Sequence, residues 1–411
     1  MDPRPDNRPL AGVRVLDLTR VLAGPHAARM LLDLGADVIK VEPPEGDITR
    51  TTHPRANSMS TYFAQQNAGK KCVSIDMDHE SGRELVRRLA DLSDVVLENF
   101  RPGVMDRLGL GYQALRARNP KVIYASASGY GQTGPWVHRR AYAPVVGAES
   151  GFTMAQGDAR GGHYTNDAHS HADMYTALEL GAAVLAALFQ RERTGRGDRI
   201  DVSMAQTMLY VNEHAHDHLW DRDVPDGVIR SFRPMDYPVL TAANGESVII
   251  SGHPAENKTF DYYMLSIGRH DLIDDPRFAD TANRLEHLAS IFAALDEWAC
   301  TMPDAQSIEE AMSANRLAVG KLRSVAEVCA TEWAVEREVI VRVTDRGEGS
   351  IPIPNAPWRF DGSDVRTGGV PGYRGEDNRS VLSELLGLTV AELDRLESDG
   401  ILTSRVPRPI G

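Results

Sequence analysis

Strand-like and helix-like segments alternate at short intervals over the first third of the chain. Residues 13–18 form an apolar run with the composition of a short buried strand, and residues 37–42 form a second one. Between them, Pro25 begins a helical stretch over residues 26–34, which Gly35 ends. A strand, a helix and a strand within about 30 residues make a βαβ unit. Such a unit implies a parallel sheet with right-handed crossovers.

The same alternation continues beyond this first unit. Strands are predicted at residues 73–77, 94–98 and 121–126, with a helix at 81–92 between the first two. Repeated units of this kind are typical of a doubly wound sheet with helices on both faces. The sequence therefore predicts an α/β fold with a Rossmann-like domain.

The second half of the chain has a different pattern. Asn244 and Gly245 lie between two short apolar runs and predict a β-hairpin, which helical segments follow to about residue 333. Irregular stretches rich in proline or glycine flank this region and are interpreted as linkers. The remaining predicted elements are strand 199–203, helix 204–220, linker 221–238, strands 239–242 and 247–251, irregular stretch 347–375, and helices 378–386 and 390–398.

Composition narrows the class of protein. Of 411 residues, 42% are hydrophobic, which is enough for a large core or two domains. The net charge is −13 with both signs interspersed, which argues against general nucleic-acid binding. Cys72, Cys300 and Cys329 are far apart, as expected in a reducing cytoplasm. No apolar run approaches about 18 residues without a charge, so no membrane-spanning segment is expected.

Asp173 is the residue with the clearest chemical potential. It begins an Ala- and Leu-rich apolar segment that runs to Phe189 and closes with residues 194–197. A carboxylate at the start of a helix faces the helix's positive end, where it stays ionised and available as a nucleophile. The alternative is that Asp173 is only an N-cap, since Asp is among the best capping residues.

Other motifs are weaker. Gly129 to Gly134 match the dinucleotide fingerprint, but Pro135 follows and no apolar helix begins there. That fingerprint needs a helix N-terminus for the phosphates, so we interpret these glycines as a backbone turn over a pocket. Ser150 lacks the strand–turn–helix context of a hydrolase nucleophile.

Histidines are concentrated in two groups, around Asp173 and on the predicted helix 204–220. Of the second group, only His214 and His218 would share a helical face. The spacings do not match a metal site, so we expect no metal. The first group consists of His163, His169 and His171, and the second of His214, His216 and His218.

Several longer motifs occur in one fixed order, and together they resemble family III CoA-transferases. This family includes formyl-CoA and carnitine-related CoA-transferases and α-methylacyl-CoA racemase. The resemblance is strong over about residues 10–210 and 370–400. The segments that carry it are 10–18, 23–25, 34–42, 67–71, 98–103, the Asp173 helix with 194–197, and 375–388.

The resemblance implies an architecture that composition did not show. Family members are homodimers of two interlocked rings. In this chain it implies a large Rossmann-like CoA-binding domain made of residues 1–220 and 340–411, and a smaller α+β domain at 221–339.

The resemblance also implies a reaction and a set of site residues. Asp173 would attack an acyl-CoA thioester, forming a mixed anhydride and then an aspartyl-CoA thioester, from which a free carboxylic acid takes the CoA. An ordinary carboxylate is already ionised at pH 7, so no general base is required. No cofactor or metal is implied beyond CoA itself, which is part of the substrate. The matching CoA contacts are Arg20, Val21, Ile75, Asn99, Phe100, Arg107 and Arg140, and Tyr62 and Tyr142 match aromatic positions of the acyl pocket.

Some residues depart from the family pattern, and these departures narrow the range of reactions expected of this chain. Tyr142 and Ala143 stand where the racemase branch has a histidine and an aspartate, which argues against racemisation. Leu22 stands where formyl-CoA transferase has a glutamine, and its glycine-rich loop has no clear counterpart in residues 226–238. We therefore expect a CoA-transferase, with a 2-methylacyl-CoA epimerase or a non-catalytic CoA-thioester-binding protein as alternatives. We expect substrate specificity to be determined by pocket residues around Asn57, 163–171 and 232–237.

Overall fold

The chain forms two compact units. The computed structural model describes residues 7–220 and 232–405. One unit combines residues up to 218 with those from 333 onward, and the other consists of residues 219–332. Residues 333–339, which the sequence analysis assigned to the small domain, belong to the large unit. Their backbone leads directly into a hairpin of that unit, where the Asn355 N–H donates to the Val339 carbonyl at 2.9 Å.

The secondary structure is as follows. The strands are β1 (Arg14–Asp17), β2 (Asp37–Glu42), β3 (Arg55–Ala56), β4 (Met59–Ser60), β5 (Lys71–Ser74), β6 (Val95–Glu98), β7 (Ile123–Ser128), β8 (Arg199–Ser203), β9 (Val239–Thr241), β10 (Ser247–Ser251), β11 (Ala318–Lys321), β12 (Ile340–Thr344) and β13 (Ser350–Pro354). The α-helices are α1 (Ala23–Asp33), α2 (Thr61–Asn67), α3 (Glu80–Asp91), α4 (Val104–Arg107), α5 (Tyr112–Arg118), α6 (Ala143–Glu149), α7 (Phe152–Asp158), α8 (His171–Thr194), α9 (Met204–Tyr210), α10 (Ala215–Leu219), α11 (Thr259–Ser266), α12 (His270–Ile273), α13 (Thr281–Glu286), α14 (Leu288–Ala299), α15 (Ala305–Ser313), α16 (Val325–Cys329), α17 (Glu332–Glu336), α18 (Asn378–Leu386) and α19 (Val390–Ser398).

A parallel six-stranded sheet organises the large unit. Its order is β5-β2-β1-β6-β7-β8, and every neighbouring pair is parallel. Renumbered within the sheet, this is the 3-2-1-4-5-6 order of dinucleotide-binding folds. The predicted α/β, Rossmann-like large domain is confirmed. The order reverses between β1 and β6, so a ligand crevice is expected outside the carboxyl ends of these two strands.

Apolar side chains cover both faces of this sheet. Leu16 and Val96 point into a core shared with α3, α5, α18 and α19. Val15 and Leu97, one position away on the same strands, point into the opposite core, shared with α1 and α8. Side chains alternate between faces along a strand, so strands buried on both sides become continuous apolar runs.

Helix α8 is the longest helix among the described residues. It has 24 residues and is apolar enough to cross a membrane by length and composition, with 44% of its most apolar window buried. Glu179 is the only charge between Asp173 and Arg191, so no part of this helix is uncharged over about 18 residues, and the helix passes the test of composition with one charge inside it. In the structure, Leu180 and Val184 pack in the core against α1. A core helix of a soluble protein would pass the same test of length and composition.

The predicted helix 204–220 is interrupted. It forms α9 and α10, separated at residues 211–214. There the Asn212 side chain accepts the N–H of His214 at 3.0 Å, a local bond that competes with the helical pattern. His214 therefore lies before α10 and not within one continuous helix, and the side chain of His218, the other member of the predicted pair, lies outside the described part of the chain. His214 instead lies 3.3 Å from the Asp217 carboxylate.

Smaller corrections concern three other segments. The strand predicted at 73–77 is β5, which ends at Ser74 because its neighbour β2 ends opposite it at Glu42. The strand predicted at 121–126 is β7, which runs to Ser128 because it pairs there with Ser203. Part of the stretch 347–375 is regular, since β13 pairs antiparallel with β12. The two C-terminal helices are confirmed.

The small unit has a three-stranded antiparallel sheet of order β11-β10-β9. The hairpin predicted around Asn244 and Gly245 is confirmed, with Thr241 opposite Ser247. Leu240 and Ile250 lie in a core with α11, α14 and α15. Of the predicted linker 221–238, residues 221–231 lie outside the described residues.

Candidate active site

The turn between β1 and α1 lies where the sheet order reverses. Asn99, just after β6, binds this turn with both ends of its amide. Its Oδ1 accepts the N–H of Arg20 at 2.9 Å, and its Nδ2 donates to the Arg20 carbonyl at 2.8 Å. The Arg20 guanidinium lies 5.0 Å from the ring centroid of Phe100. The structure thus brings three predicted CoA-contacting residues together at the crevice.

Val21 adopts a strained backbone conformation in this turn. Its φ is +70°, a region that β-branched residues rarely adopt. Such a residue costs about 1–3 kcal/mol and persists only where its surroundings fix it. The Val21 N–H donates to Asp47 Oδ2 at 3.2 Å. Backbone strain of this kind is concentrated at functional sites.

Asp173 lies at two helix N-termini at once. It is the third residue of α8, whose N-cap is Ser170, so the interpretation of Asp173 as the N-cap is wrong. Two backbone N–H groups, its own and that of Ala23, the first residue of α1, lie close enough to this carboxylate to favour its charged form. Burial nevertheless raises the pKa of Asp173 to about 6, outweighing the two N–H donors. The expectation of an ordinary pKa is therefore corrected, although at pH 7 the ionised form still dominates by about ten to one.

Tyr62, at the start of α2, is close to this carboxylate. Burial and then the negative charges of Asp173 and Asp47 raise the pKa of Tyr62, so its hydroxyl remains protonated at neutral pH. The side chain is 36% exposed, which separates it from a core tyrosine. A protonated hydroxyl within electrostatic range of two carboxylates is a possible hydrogen-bond donor to a bound acyl group.

Buried ion pairs lie beneath the β1–α1 turn. Lys40 Nζ is 3.2 Å from Asp47 Oδ2 and donates to the Thr19 carbonyl at 2.9 Å. Lys70 Nζ is 2.8 Å from Asp17 Oδ2 and donates to the Pro25 carbonyl at 2.9 Å. All four charged side chains are fully buried.

These ion pairs were not predicted from the sequence, although a signal was present. Lys40 and Glu42 interrupt the apolar strand β2, which is buried on both faces. Lysine and glutamate are almost never fully buried without a partner, so charges inside such a strand predict a buried network.

A cavity of about 140 Å³ lies beside the end of β7 and brings Phe100, Arg140 and Tyr142 together. The hydroxyls of Ser128 and Tyr130 also line it, and neither has a hydrogen-bond partner within residues 7–220 and 232–405. Buried polar atoms of this kind are normally satisfied by water or by a ligand. The cavity therefore offers an aromatic, cationic and hydroxyl-lined pocket next to the crevice.

Two residues predicted to contact CoA, Ile75 and Arg107, take no part in the contacts described so far. Ile75 is fully buried in the core, where it forms an isolated bridge with Leu402. Its side chain is thus placed for packing, and a contact between Ile75 and CoA stays a prediction. Arg107 ends the short helix α4 and is exposed. Its side chain is accessible to a ligand but takes no part in the contacts described above.

The histidines near Asp173 form their own group at the start of α8. His171 bonds to the Asp167 carboxylate and stacks on Tyr175 with ring centroids 5.6 Å apart. His169 lies 5.8 Å from His171, centroid to centroid. Across the described ranges 7–220 and 232–405, no group of three or more His, Cys, Asp or Glu is arranged to hold a metal ion.

The glycines 129–134 form a loop after β7. Helix α6 begins only at Ala143, so no helix N-terminus follows the fingerprint directly. The interpretation as a backbone turn is confirmed.

Comparison with known proteins gives one consistent family. The family model described as CoA-transferase family III matches residues 10–378. The chain is 32% identical to the formyl-CoA:oxalate CoA-transferase of Streptomyces avermitilis, covering 96% of this chain and 99% of that protein. It is 35% identical to the acetyl-CoA:oxalate CoA-transferase of Acetobacter aceti, with 87% and 90% covered. It is 29% identical to the succinyl-CoA:glutarate CoA-transferase of Mus musculus, with 96% and 90% covered.

Solved structures agree with this result. A crystal structure of the Mycobacterium tuberculosis protein Rv3272, a probable fatty acyl-CoA transferase, superposes with a TM-score of 0.78 at 33% identity. That comparison covers 91% of this chain and 99% of the solved chain. A CAIB/BAIF family protein from Brucella suis superposes with a TM-score of 0.79 at 32% identity, covering 92% and 100%.

Proposed function

The chain belongs to CoA-transferase family III, and on that premise we propose that Asp173 is the nucleophile that carries CoA from an acyl-CoA to a free carboxylic acid. CoA transfer itself follows from the family and from its transferase relatives. One observation supports the choice of Asp173 above all. Its partly buried carboxylate lies in the first turn of α8 and close to the N–H of Ala23, the first residue of α1.

The proposed reaction proceeds through two covalent intermediates. A carboxylate oxygen of Asp173 attacks the thioester carbonyl carbon, the C–S bond breaks, and CoA leaves as the thiolate. The thiolate then attacks the aspartyl carbonyl carbon of the mixed anhydride, and the donor acid leaves as its carboxylate. The acceptor carboxylate attacks the resulting aspartyl-CoA thioester and repeats these steps in reverse. No net proton transfer occurs, so the site requires no general base.

The geometry suits this chemistry in two ways. When the thiolate attacks the aspartyl carbonyl, negative charge develops on an Asp173 oxygen, where the N–H of Ala23 is already directed. Preorganised N–H donors at such a position stabilise tetrahedral intermediates strongly. Partial burial of the carboxylate also limits access of water, which would hydrolyse both activated intermediates.

We propose that CoA binds across the crevice formed by the ends of β1 and β6. Arg20 has the planar donor fork that suits phosphate groups, and Phe100 lies beneath it. Arg140 and Tyr142 line the adjoining cavity, and Tyr62 faces Asp173. We assign Tyr62 and Tyr142 to the acyl portion.

The acceptor acid is the least constrained part of the proposal. Relatives are named for oxalate and glutarate as acceptors and for formyl, acetyl and succinyl donors. Leu22, an apolar and nearly buried side chain next to Ala23, disfavours formate and oxalate. Short acyl-CoA donors paired with longer dicarboxylic acids therefore form the first panel to assay.

We also propose that the protein acts as a homodimer in the cytoplasm. One side of α8 is apolar yet exposed, including Leu178 at 45% and Phe189 at 68% exposure. A helix that is apolar all round is normally buried, and a second copy of the chain would cover this side. The three cysteines are free, which is consistent with a reducing compartment.

Asp173→Asn tests the proposed function. We expect CoA transfer to fall by at least about a thousandfold, because an amide cannot form the anhydride. Burial raises the carboxyl's pKa, so folding disfavours the charge. The variant should be more stable than wild type by on the order of 2 kcal/mol at pH 7, and by less near pH 4, where the carboxyl is protonated in the folded state and about half protonated in the unfolded state.

The assays are CoA transfer, followed by chromatography of the CoA esters, and urea denaturation at the two pH values. Full transfer activity in the folded variant would contradict the mechanism. Exchange of the acyl Cα hydrogen with solvent deuterium, without any acceptor acid, would instead indicate the epimerase.

A further inference from the structure

The β1–α1 turn is fixed on one side by Asn99, at the crevice, and on the other side by buried residues that do not line the crevice. The N–H of Ala23 stays close to Asp173 only if the preceding turn keeps its shape. Within that turn, the backbone of Val21 has a left-handed conformation that valine does not favour. Something must therefore hold the Val21 peptide in place. Asn99 binds the neighbouring Arg20 peptide from the β6 side.

Asp47 holds the Val21 peptide from the β2 side. Its Oδ2 accepts the Val21 N–H at 3.2 Å. Its Oδ1 accepts both the N–H and the hydroxyl of Thr49, at 3.0 and 2.9 Å, so the carboxylate cannot rotate freely. The Asp47 N–H in turn donates to Glu42 Oε2 at 2.9 Å.

Lys40 locks this carboxylate and the turn to each other. Its ammonium is 3.2 Å from Asp47 Oδ2 and donates to the Thr19 carbonyl at 2.9 Å. Both charged side chains are completely buried. Burial opposes the charge on Asp47, but Lys40 and the bonds from Thr49 hold its pKa below the usual range. Asp47 is therefore ionised at every pH at which the Asp173 carboxylate is ionised and reactive.

We propose that Asp47, locked by Lys40, is a positioning residue for the transfer reaction: it holds Val21 in its strained conformation and so keeps the Ala23 N–H directed at Asp173. The inference rests on the proposed role of Asp173. It assigns a function in catalysis to a charge pair that does not touch the substrate.

The first test is Asp47→Asn, which keeps the shape of the side chain but removes the charge that Lys40 locks. We expect kcat to fall about 10- to 100-fold, part of the loss seen when an oxyanion donor is removed outright. KM for the acyl-CoA should change less than about threefold, because Asp47 itself contacts no substrate and Asn99 still holds the Arg20 peptide. Acid-quenched mass spectrometry should show a matching slowdown in forming the Asp173 adduct. A folded variant with kcat within twofold of wild type overturns the proposal.

Thr367→Val is the matched control for stability. Thr367 donates to Asp33 at 2.7 Å and is equally buried, but it lies outside the turn. It should lower the melting temperature while leaving kcat unchanged. An equal loss of kcat in the two variants would show that general destabilisation, and not positioning, is responsible.

The route through Val21 is tested by a double-mutant cycle. Glycine adopts positive φ freely, so a turn carrying Val21→Gly no longer needs Asp47 to hold it. Adding Asp47→Asn to Val21→Gly should therefore cost at least fivefold less in kcat than it does in wild type. Equal costs in both backgrounds would overturn the proposed route.

If Asp47→Asn does not fold, Thr49→Val provides the milder version. This variant removes only the hydroxyl that donates to Asp47 Oδ1. We expect kcat to fall about three- to tenfold while KM stays unchanged. An unchanged kcat overturns the proposal. Wild-type enzyme assayed in parallel distinguishes a failure of the proposed function of Asp173 from a failure of the positioning role of Asp47. Absence of any Asp173 adduct in wild type refutes the proposed function, whereas a wild-type rate in a folded Asp47 or Thr49 variant refutes positioning alone.

Discussion

The Asp173 carboxyl lies in an environment with opposing effects. Burial makes its charge costly, while two helix N-terminal N–H groups stabilise that charge. The result is a carboxyl whose pKa is near 6, and so an oxygen more basic than that of an ordinary aspartate. A more basic carboxylate is a better nucleophile toward a thioester, provided that it is still ionised at the working pH.

The pH dependence of kcat/KM follows from this pKa. Since the ionised carboxylate is the reactive form, activity should be level above about pH 7. Below about pH 6 it should fall towards tenfold per pH unit. Steady-state rates with a saturating acceptor acid, measured from pH 5 to pH 8.5, would show the bend.

Glu98 is the other carboxyl near the crevice with a strongly raised pKa. Burial raises its pKa to about 7, so it could produce a bend in the same range. Glu98→Gln keeps an oxygen that can accept the Phe100 N–H, and it should leave the bend near pH 6 in place. If the bend disappears in this variant, it does not belong to Asp173.

At the scale of elements, the site depends on how closely α1 and α8 approach. Gly181 lies on the buried side of α8, and a Cβ built there would be 3.0 Å from the Met30 Cε of α1. The terminal methyl group of a methionine can move, so a methyl group fits after a small adjustment. A larger side chain would separate the helices and shift the Ala23 N–H relative to Asp173.

Gly181 variants test this dependence. Gly181→Ala should keep full activity and gain up to about 1 kcal/mol from helix propensity. Gly181→Leu should lose about 1–3 kcal/mol through overpacking, and its kcat should fall at least tenfold at a temperature where it remains folded. Thermal denaturation and transfer assays on the pair provide the measurement. Equal kcat for the two variants would show that the spacing of these helices does not control catalysis.

The sequence predicted most of the elements because their signals are local. The apolar runs of β1 and β2, the helix between them and the hairpin at Asn244 all follow from composition and turn residues. Errors arose where one side chain bonds the backbone beside it, or where a neighbouring strand sets the length of an element. Asn212 interrupts a helix through its own side chain, and β5 ends where its partner β2 ends.

The site was predicted only in part, for a related reason. Asp173 stands out by its residue type and position, but the amide of Ala23 carries no sequence signal. The roles of Lys40 and Asp47 depend on strands that are adjacent only in the folded sheet. Ile75 was assigned to the CoA site by motif alone, and its complete burial could not be inferred from that match.

At the scale of the whole molecule, the residues proposed for chemistry belong to the large unit. The small unit has its own sheet and its own apolar core. The apolar exposed side of α8 remains to be covered, and a second copy of the chain is the proposed occupant. Burying Leu178 and Phe189 would stabilise such an interface by roughly 1.5–3 kcal/mol per side chain.

Charges on this side of α8 test the assembly. Leu178→Glu and Phe189→Glu should shift the protein from dimer to monomer at micromolar concentration, as measured by light scattering after gel filtration. Gln190→Glu, an exposed polar position on the same helix, is the control for added charge. A monomeric wild type would refute the dimer, and dimeric variants would place the interface elsewhere. Wild type that sediments with lipid vesicles would point to a membrane instead.

The most direct test of covalent transfer is peptide mass spectrometry on enzyme that has been incubated with a panel of acyl-CoAs and acid-quenched. Formation of an acyl or CoA adduct on the peptide containing Asp173, removed by hydroxylamine and absent in Asp173→Asn, is the result predicted here. The thioester that reacts would also identify the donor class. A protein that binds CoA and transfers it to an acceptor acid, yet never carries an adduct on Asp173, would contradict the account.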